Sequence, residues 1–304
     1  MKFPASRIRP HALKPGDTLG IAAPAGSVDP TDLEAGMVVL QSMGFKLRVS
    51  DEIFAKSRYL AGTDLHRAGH LSRLFADPEI DGIICARGGY GAMRLLALLD
   101  SGMIAAHPKP FVGFSDITAL LVFLTDKCGM ATFHGPTVTT LGLGDTDTQK
   151  WFYRVLTEKK PFSLAASSPR TLVAGQAVGR FYCGNLTLFC HLTGTPFAPD
   201  LKDAVLLVED IGEAPYRIDR MLTQMRLSGT LDRLAGLALG HFEGLDAENG
   251  ISEIVMDRLG DLGFPICGGF GVGHAPDNAT LPVGMTVKLD ADAGTLVFPQ
   301  PAVC

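Results

Sequence analysis

The first half of the chain alternates short, almost wholly apolar runs with longer stretches whose apolar residues recur every three or four positions. That alternation constrains the fold more than any other feature, because the two periods belong to strands and helices. Thr18 opens TLGIAAP, a buried strand ending in a Pro/Gly loop, and DPTDLEAGMVVLQSMG follows at helical spacing with a glycine stop. KLRVSD is a second strand, TDLHRAGHLSRLFAD a helix with a polar face, IDGIICAR a strand, GGYG a loop and AMRLLALLD a helix. PFVGFS and DITALLVFLTDKCG repeat the strand–helix pair. Such alternation predicts βαβ units and a mostly parallel sheet flanked by helices. Ligands of these sheets bind beyond the carboxyl ends of the strands, so the loops APAGS, RGGYG and FSD are expected on one edge.

The pattern changes after Lys159. KKPFSLAASSPR is rich in proline and serine, lacks periodicity, and reads as a linker. Beyond it come strands in QAVGRFYCGN, AVLLVED, LAGLALGHF and PICGGFGVGH, helices in PYRIDRMLTQMRLSG and ISEIVMDRLG, and a closing hairpin in TVKLDADAGTLVF. The expected organisation is an N-terminal domain over 1–160, a linker over 161–174 and a strand-richer α/β domain over 175–304. A length of 304 residues suits two domains with well-buried cores.

Charge narrows the partners. A net charge of -5 argues against nucleic acid or an anionic membrane surface, though it leaves small anionic ligands open. The six cysteines are scattered, mostly in apolar runs, and form no CxxC pair, so neither a zinc ribbon nor a redox dithiol is indicated. Free buried thiols fit a reducing compartment. MKFPASRIRPHALKPGD has no apolar core of a signal peptide, and no apolar run nears the ~20 residues that span a bilayer. A cytoplasmic location is expected.

Several residues can carry chemistry, each with a plainer reading beside it. Ser115 lies between the apolar strand PFVGF and the apolar helix ITALLVFL. A serine there can cap the helix. It can equally sit on a nucleophile elbow, where a tight turn exposes its oxygen near helix N–H groups. Ile117 stands where a G-x-S-x-G motif would close, so such an elbow is not the α/β-hydrolase one. Arg87-Gly88-Gly89-Tyr90-Gly91 can be an anion-binding loop, a simple tight turn or an oxyanion hole. It lacks the G-x-G-x-x-G and G-K-[ST] patterns of nucleotide sites. Glu209 ends a buried strand, where it can cap a turn or orient a histidine; Glu213, Arg217, Asp219 and Arg220 lie just beyond. His274, in the loop GVGHAP, is a candidate general base, with His134, His191 and His241 as rivals. His66 and His70 are four apart, but HRAGH lacks the glutamate of H-E-x-x-H and a third ligand, so a solvated helix face is the expectation.

The order of these segments says more than any one of them. LGIAAPAG, RYLAGTDLHRAGHL, ARGGYGAMRLL, FVGFSDITALL, FHGP, CGNLTLF, LLVEDIGEAPYRIDRML and GVGHAPDNATLPVG run in sequence over nearly the whole chain. The series resembles the LD-carboxypeptidase family, serine peptidases that include muramoyl-tetrapeptide carboxypeptidases and microcin-immunity enzymes. GFSDIT and ARGGYG are its most specific parts. Ala25, where serine is frequent, and Cys183, where glycine is common, are small departures from its pattern.

The resemblance implies an N-terminal domain like the class I glutamine amidotransferases and a Ser–Glu–His triad. By motif the triad falls on Ser115, Glu209 and His274, with Glu213 as the alternative acid. The backbone amides of Asp116 and of Gly88 or Gly89 would form the oxyanion hole. Arg87 and Tyr90 are candidates to hold the substrate, Arg87 because a carboxypeptidase must bind a free carboxylate. The implied reaction is hydrolysis of an L,D peptide bond, releasing terminal D-alanine from a cell-wall tetrapeptide, by a homodimer with no metal or cofactor. A hydrolase of peptidyl- or aminoacyl-nucleotide antibiotics with the same triad, and a non-catalytic small-ligand-binding protein, are the competing functions.

Overall fold

The computed structural model describes residues 7–245 and 250–304. Five strands, β1 (Thr18–Ala22), β2 (Lys46–Arg48), β3 (Gly82–Cys85), β4 (Phe111–Gly113) and β5 (Thr132–His134), form a parallel sheet in the order β5-β4-β3-β1-β2. Every residue of β3 and β4 is buried, as expected of strands covered on both faces. The helix Asp64–Ala76 starts where Thr63 accepts a hydrogen bond from the amide of His66 at 3.2 Å. The helix Thr118–Asp126 is apolar all round and runs through the core, buried from Thr118 to Thr125.

The second sheet has eight strands: β6 (Phe162–Ala165), β7 (Arg170–Val173), β8 (Gln176–Asn185), β9 (Ala204–Ile211), β10 (Gly236–Glu243), β11 (Ile266–Gly268), β13 (Thr286–Asp290) and β14 (Thr295–Phe298). Its order is β6-β14-β13-β8-β9-β10-β11-β7, with β8 to β11 parallel at the centre and antiparallel strands at both flanks. The hairpin expected near the C-terminus is present as β13 and β14, with Lys288 opposite Val297. Between β11 and β13 in sequence, β12 (Leu281–Val283) leaves this unit and pairs antiparallel with β5, Leu281 opposite His134. The architecture is thus two-domain α/β, with each sheet flanked by helices and one strand of the later chain completing the earlier sheet.

Two expectations change. The segment 161–174 is no linker: β6 and β7 form opposite edges of the second sheet, paired with β14 and β11. Edge strands of four residues need little apolar periodicity, and their partners lie far away in sequence. The stretch AMRLLALLD forms only a short 3-10 turn, Ala92–Leu95. Its apolar spacing serves burial of Leu95, Leu96 and Leu99 without a continuous helix. All six cysteines are free, and all but Cys304 are buried.

Candidate active site

Ser115 stands at the carboxyl end of β4, and its backbone φ is +62°. A non-glycine residue in the left-handed region carries steric cost, which persists only where the surroundings fix it. Phe114 before it is extended, and a 3-10 turn, Ser115–Ile117, leads into the helix Thr118–Asp126. The capping reading of Ser115 fails, since neither the turn nor the helix begins with a side-chain cap. What results is a strand–turn–helix elbow that throws the serine side chain outward. The missing closing glycine has a counterpart: a Cβ at Gly113 would lie 2.8 Å from the Ile117 side chain, so the bare residue comes before the serine.

The glycine loop lies directly against this elbow. A Cβ at Gly88 would lie 2.9 Å from Ser115 Cβ and 3.2 Å from its Oγ, so only glycine lets the backbone come this close. Among the described residues no backbone carbonyl takes up the amides of Gly88 and Gly89. Two buried side chains fix the loop from behind. The Asp116 carboxylate accepts a hydrogen bond from the Ala92 amide at 2.7 Å. Arg67 donates from Nη1 to Gly91 O at 2.9 Å and to Pro24 O, and pairs with Asp64. Burial pushes the Asp116 carboxyl up to about 6, against the Ala92 hydrogen bond and the Arg67 charge that hold it down. Arg67 was legible only as part of a helix with a polar face; its burial at 2% exposure was not. That face is not solvated as expected. His70 is buried as well, and desolvation lowers its pKa, while His66 bonds the Glu52 carbonyl at 2.9 Å.

The acid and the histidine come from the second sheet. Glu209, fully buried two residues before the end of β9, accepts a hydrogen bond from His274 Nδ1 at 2.7 Å. Gly273 makes room for it: a Cβ there would lie 2.9 Å from Glu209 Oε2, and its φ of +132° suits glycine alone. Burial raises the Glu209 carboxyl above its ordinary range, while the bond to His274 opposes that shift. The loop carrying His274 is tied down on both sides. Gly273 N donates to Asn278 Oδ1 at 3.0 Å, Asn278 N to Thr148 Oγ1 at 3.2 Å, and His241 Nε2 lies 2.9 Å from Asp277 Oδ1. Phe114 packs its ring 4.8 Å from that of His274. Ser115, His274, Gly88, Gly89 and Arg87 all line one cleft of about 510 Å³.

With this geometry, comparisons with known proteins acquire weight. Residues 19–135 match the LD-carboxypeptidase N-terminal domain and residues 178–289 the LD-carboxypeptidase C-terminal domain. The chain belongs to the LD-carboxypeptidase family. As a member, it is a hydrolase of the serine carboxypeptidase type. This LD-carboxypeptidase is 36% identical to a Bacillus subtilis protein named "probable murein peptide carboxypeptidase", over 95% of this chain and 94% of the relative. It is 30% identical to the murein tetrapeptide carboxypeptidase of Pseudomonas aeruginosa, over 90% of this chain and 93% of that one. In structure it resembles an MccF-like protein of Bacillus anthracis, with a TM-score of 0.90, 25% identity, and coverage of 96% and 99% of the two chains.

Other expected residues of this LD-carboxypeptidase fall elsewhere. Glu213 lies 3.6 Å from Arg217 in a partly exposed ion pair, while Glu209 holds His274. Tyr90 does not line the cleft. Gly89 and Gly91, both at positive φ, turn the loop on either side of it, and its ring meets that of Tyr59 edge-on at 5.6 Å. Arg87 does line the cleft and donates from Nη1 to Ser27 O at 3.1 Å. His134 is fully buried behind Phe114, and desolvation together with the nearby His274 lowers it to about 3. A ring so held stays neutral and out of reach of substrate. Among the described residues no cluster of His, Cys, Asp and Glu is arranged to hold a metal.

Proposed function

We propose that this LD-carboxypeptidase cleaves an L,D peptide bond and releases the terminal D-alanine of murein tetrapeptides, with Ser115, His274 and Glu209 as its triad. The observation that carries the reading is the hydrogen bond from His274 to buried Glu209, at the wall of the cleft that also holds Ser115. The bond engages Nδ1, which leaves Nε2 for the serine proton. His274 takes that proton as Ser115 Oγ forms a bond to the scissile carbonyl carbon. The amides of Asp116 and of Gly88 or Gly89 stabilise the oxyanion, each such donor contributing roughly 3–4 kcal/mol to the transition state. The C–N bond then breaks, the leaving amine of D-alanine takes the proton from His274, and water hydrolyses the acyl-enzyme by the reverse proton route. Glu209 fixes the imidazole tautomer and stabilises the imidazolium. Arg87 receives the terminal carboxylate of the substrate.

The test is to follow D-alanine by mass spectrometry on a muramoyl tetrapeptide. Release by the wild type, reduced by about 10³-fold or more in Ser115→Ala, is the expected result. No release by the wild type, or release undiminished in the variant, would overturn the proposal. The likeness to an MccF-like protein favours a second reading, hydrolysis of an aminoacyl-nucleotide antibiotic. The cleft offers Phe114 as its single aromatic of the described lining, and His274 already covers that ring. Turnover of an aminoacyl-sulfamoyl-adenosine faster than of the muropeptide would decide for that reading.

We further propose that the enzyme works in the cytoplasm, on peptide rather than nucleic acid or membrane, and as a homodimer. The free buried thiols and the net charge of -5 support the first two. No helix among the described residues is long and apolar enough to cross a membrane. Light scattering of the purified protein tests the dimer.

A further inference from the structure

The cleft beside Ser115 and His274 carries two opposite charges that the triad does not use. Arg87 donates to the carbonyl of Ser27 and has no carboxylate partner among the described residues. Asp32, in the first turn of the helix Pro30–Ser42, faces the same cleft and has no side-chain partner among them either. Asp29, one turn earlier, is paired with Lys56 at 2.5 Å, so the region has a cation at hand and spends it elsewhere. The two charges do not neutralise each other. A cleft built this way complements a ligand that carries a carboxylate and an ammonium group at separate points. If Arg87 holds the terminal carboxylate, the ammonium belongs on the other side of the scissile bond.

We propose that Asp32 selects for an ammonium-bearing side chain on the residue that supplies the scissile carbonyl, a diamino acid at the third position of the peptide. The inference rests on the carboxypeptidase reading. Lysine and diaminopimelate share the required ammonium; diaminopimelate adds a carboxylate. Asp32 also stabilises the helix terminus in which it sits, by its charge at the N-terminal turn, so loss of stability alone says nothing about selection. Substrate preference does.

The experiment compares tetrapeptides with lysine, meso-diaminopimelate or uncharged norleucine at the third position. Turnover is measured with the wild type and Asp32→Asn, and binding with Ser115→Ala and the Ser115→Ala/Asp32→Asn double variant by calorimetry. A charge-assisted hydrogen bond predicts a preference of roughly 10- to 100-fold for lysine over norleucine in wild-type kcat/KM, and the same ratio in Kd for Ser115→Ala. Both ratios collapse towards one when Asp32 becomes asparagine, and the wild-type ratio shrinks as salt screens the exposed pair. The diaminopimelate arm shows whether the added carboxylate is tolerated beside Asp32 or repelled. Lysine and norleucine ratios that are equal in the wild type, or that survive Asp32→Asn, overturn the inference while leaving D-alanine release intact. Absence of release from every peptide overturns the carboxypeptidase reading.

Discussion

Ser115 sits in a conformation that its neighbours enforce, with Gly88 pressed against its Cβ and a φ of +62°. Adding a methyl group at Gly88 therefore has to move either the serine or the amides proposed to hold the oxyanion. Gly88→Ala is expected to lower kcat by at least about 10²-fold while the thermal midpoint falls only slightly, since displacements near 1 Å at the reacting atoms cost that much. Steady-state kinetics beside a melting curve check it. Glu209→Gln removes the acceptor that selects the His274 tautomer and is expected to reduce kcat by roughly 10³- to 10⁴-fold with the fold retained. Asp116 obeys a different logic. Its carboxyl ordinarily titrates at 3.8 and is raised to about 6 in the folded protein, so the native state binds the proton more tightly than the unfolded chain. The burial penalty is absent below about pH 4, grows between there and pH 6, and is complete above it, where it amounts to on the order of 2–3 kcal/mol. Asp116→Asn keeps an acceptor for the Ala92 amide, so it is expected to raise the melting temperature by a few degrees at pH 7.5 and not at pH 3.5. The sequence marked Ser115, Glu209 and His274 as candidates by residue type and position. The motif resemblance put the acid on Glu209, with Glu213 as the alternative, and the histidine on His274; residue type and spacing alone could not, because neither says which carboxylate enters the core or which histidine the packed sheets bury.

At the scale of elements, loops at the carboxyl ends of parallel strands were legible and the devices that hold them were not. The glycine loop after β3 and the elbow after β4 fall where alternating strand and helix patterns put them. Arg67, which ties that loop to the Pro24 turn, looked like one more charge on a helix. Desolvation lowers its pKa; Nη1 donates to the two carbonyls and Nη2 to Asp64, while the buried Nε has no partner among the described residues, so the guanidinium is a buried cation held for structure. Arg67→Met is expected to destabilise the protein by roughly 3–5 kcal/mol, because Asp64 and the two carbonyls lose a buried partner. It should also reduce kcat/KM beyond what the unfolded fraction accounts for. Denaturant titration read with activity at a temperature where the variant stays folded separates the two losses. The strands β6 and β7 were illegible for another reason. Each has four residues, lies on a sheet edge, and pairs with a strand more than 80 residues later, as Phe162 does with Phe298. Local pattern carries no information about such partners.

Across the whole molecule the two sheets are less separable than the two sequence patterns suggest. Asn185 N donates to Thr118 Oγ1 at 3.0 Å, joining the end of β8 to the helix behind the nucleophile. The late strand β12 closes the edge of the first sheet against β5, and Ala12 N donates to Cys304 O at 3.0 Å, so the last residue is tied back near the first described ones. The cleft of the proposed triad lies where these units meet, because Ser115 comes from one and Glu209 with His274 from the other. A first sheet expressed without its β12 strand would expose the edge of β5 and the apolar residues behind it, which favours aggregation over folding. The intact chain should accordingly unfold as one cooperative unit, although chains of this size with two cores usually unfold in steps. The single tryptophan provides the probe: Trp151 Nε1 donates to the carbonyl of Thr280, across from the helix Thr146–Thr157 to the segment that enters β12. Its fluorescence reports the junction, while far-UV circular dichroism reports all helices and strands. Coincident urea transitions by the two signals, with loss of activity at the same midpoint, are the expected outcome. A tryptophan transition that precedes the loss of secondary structure would instead mean that the junction opens first and that the triad is assembled from two units stable on their own.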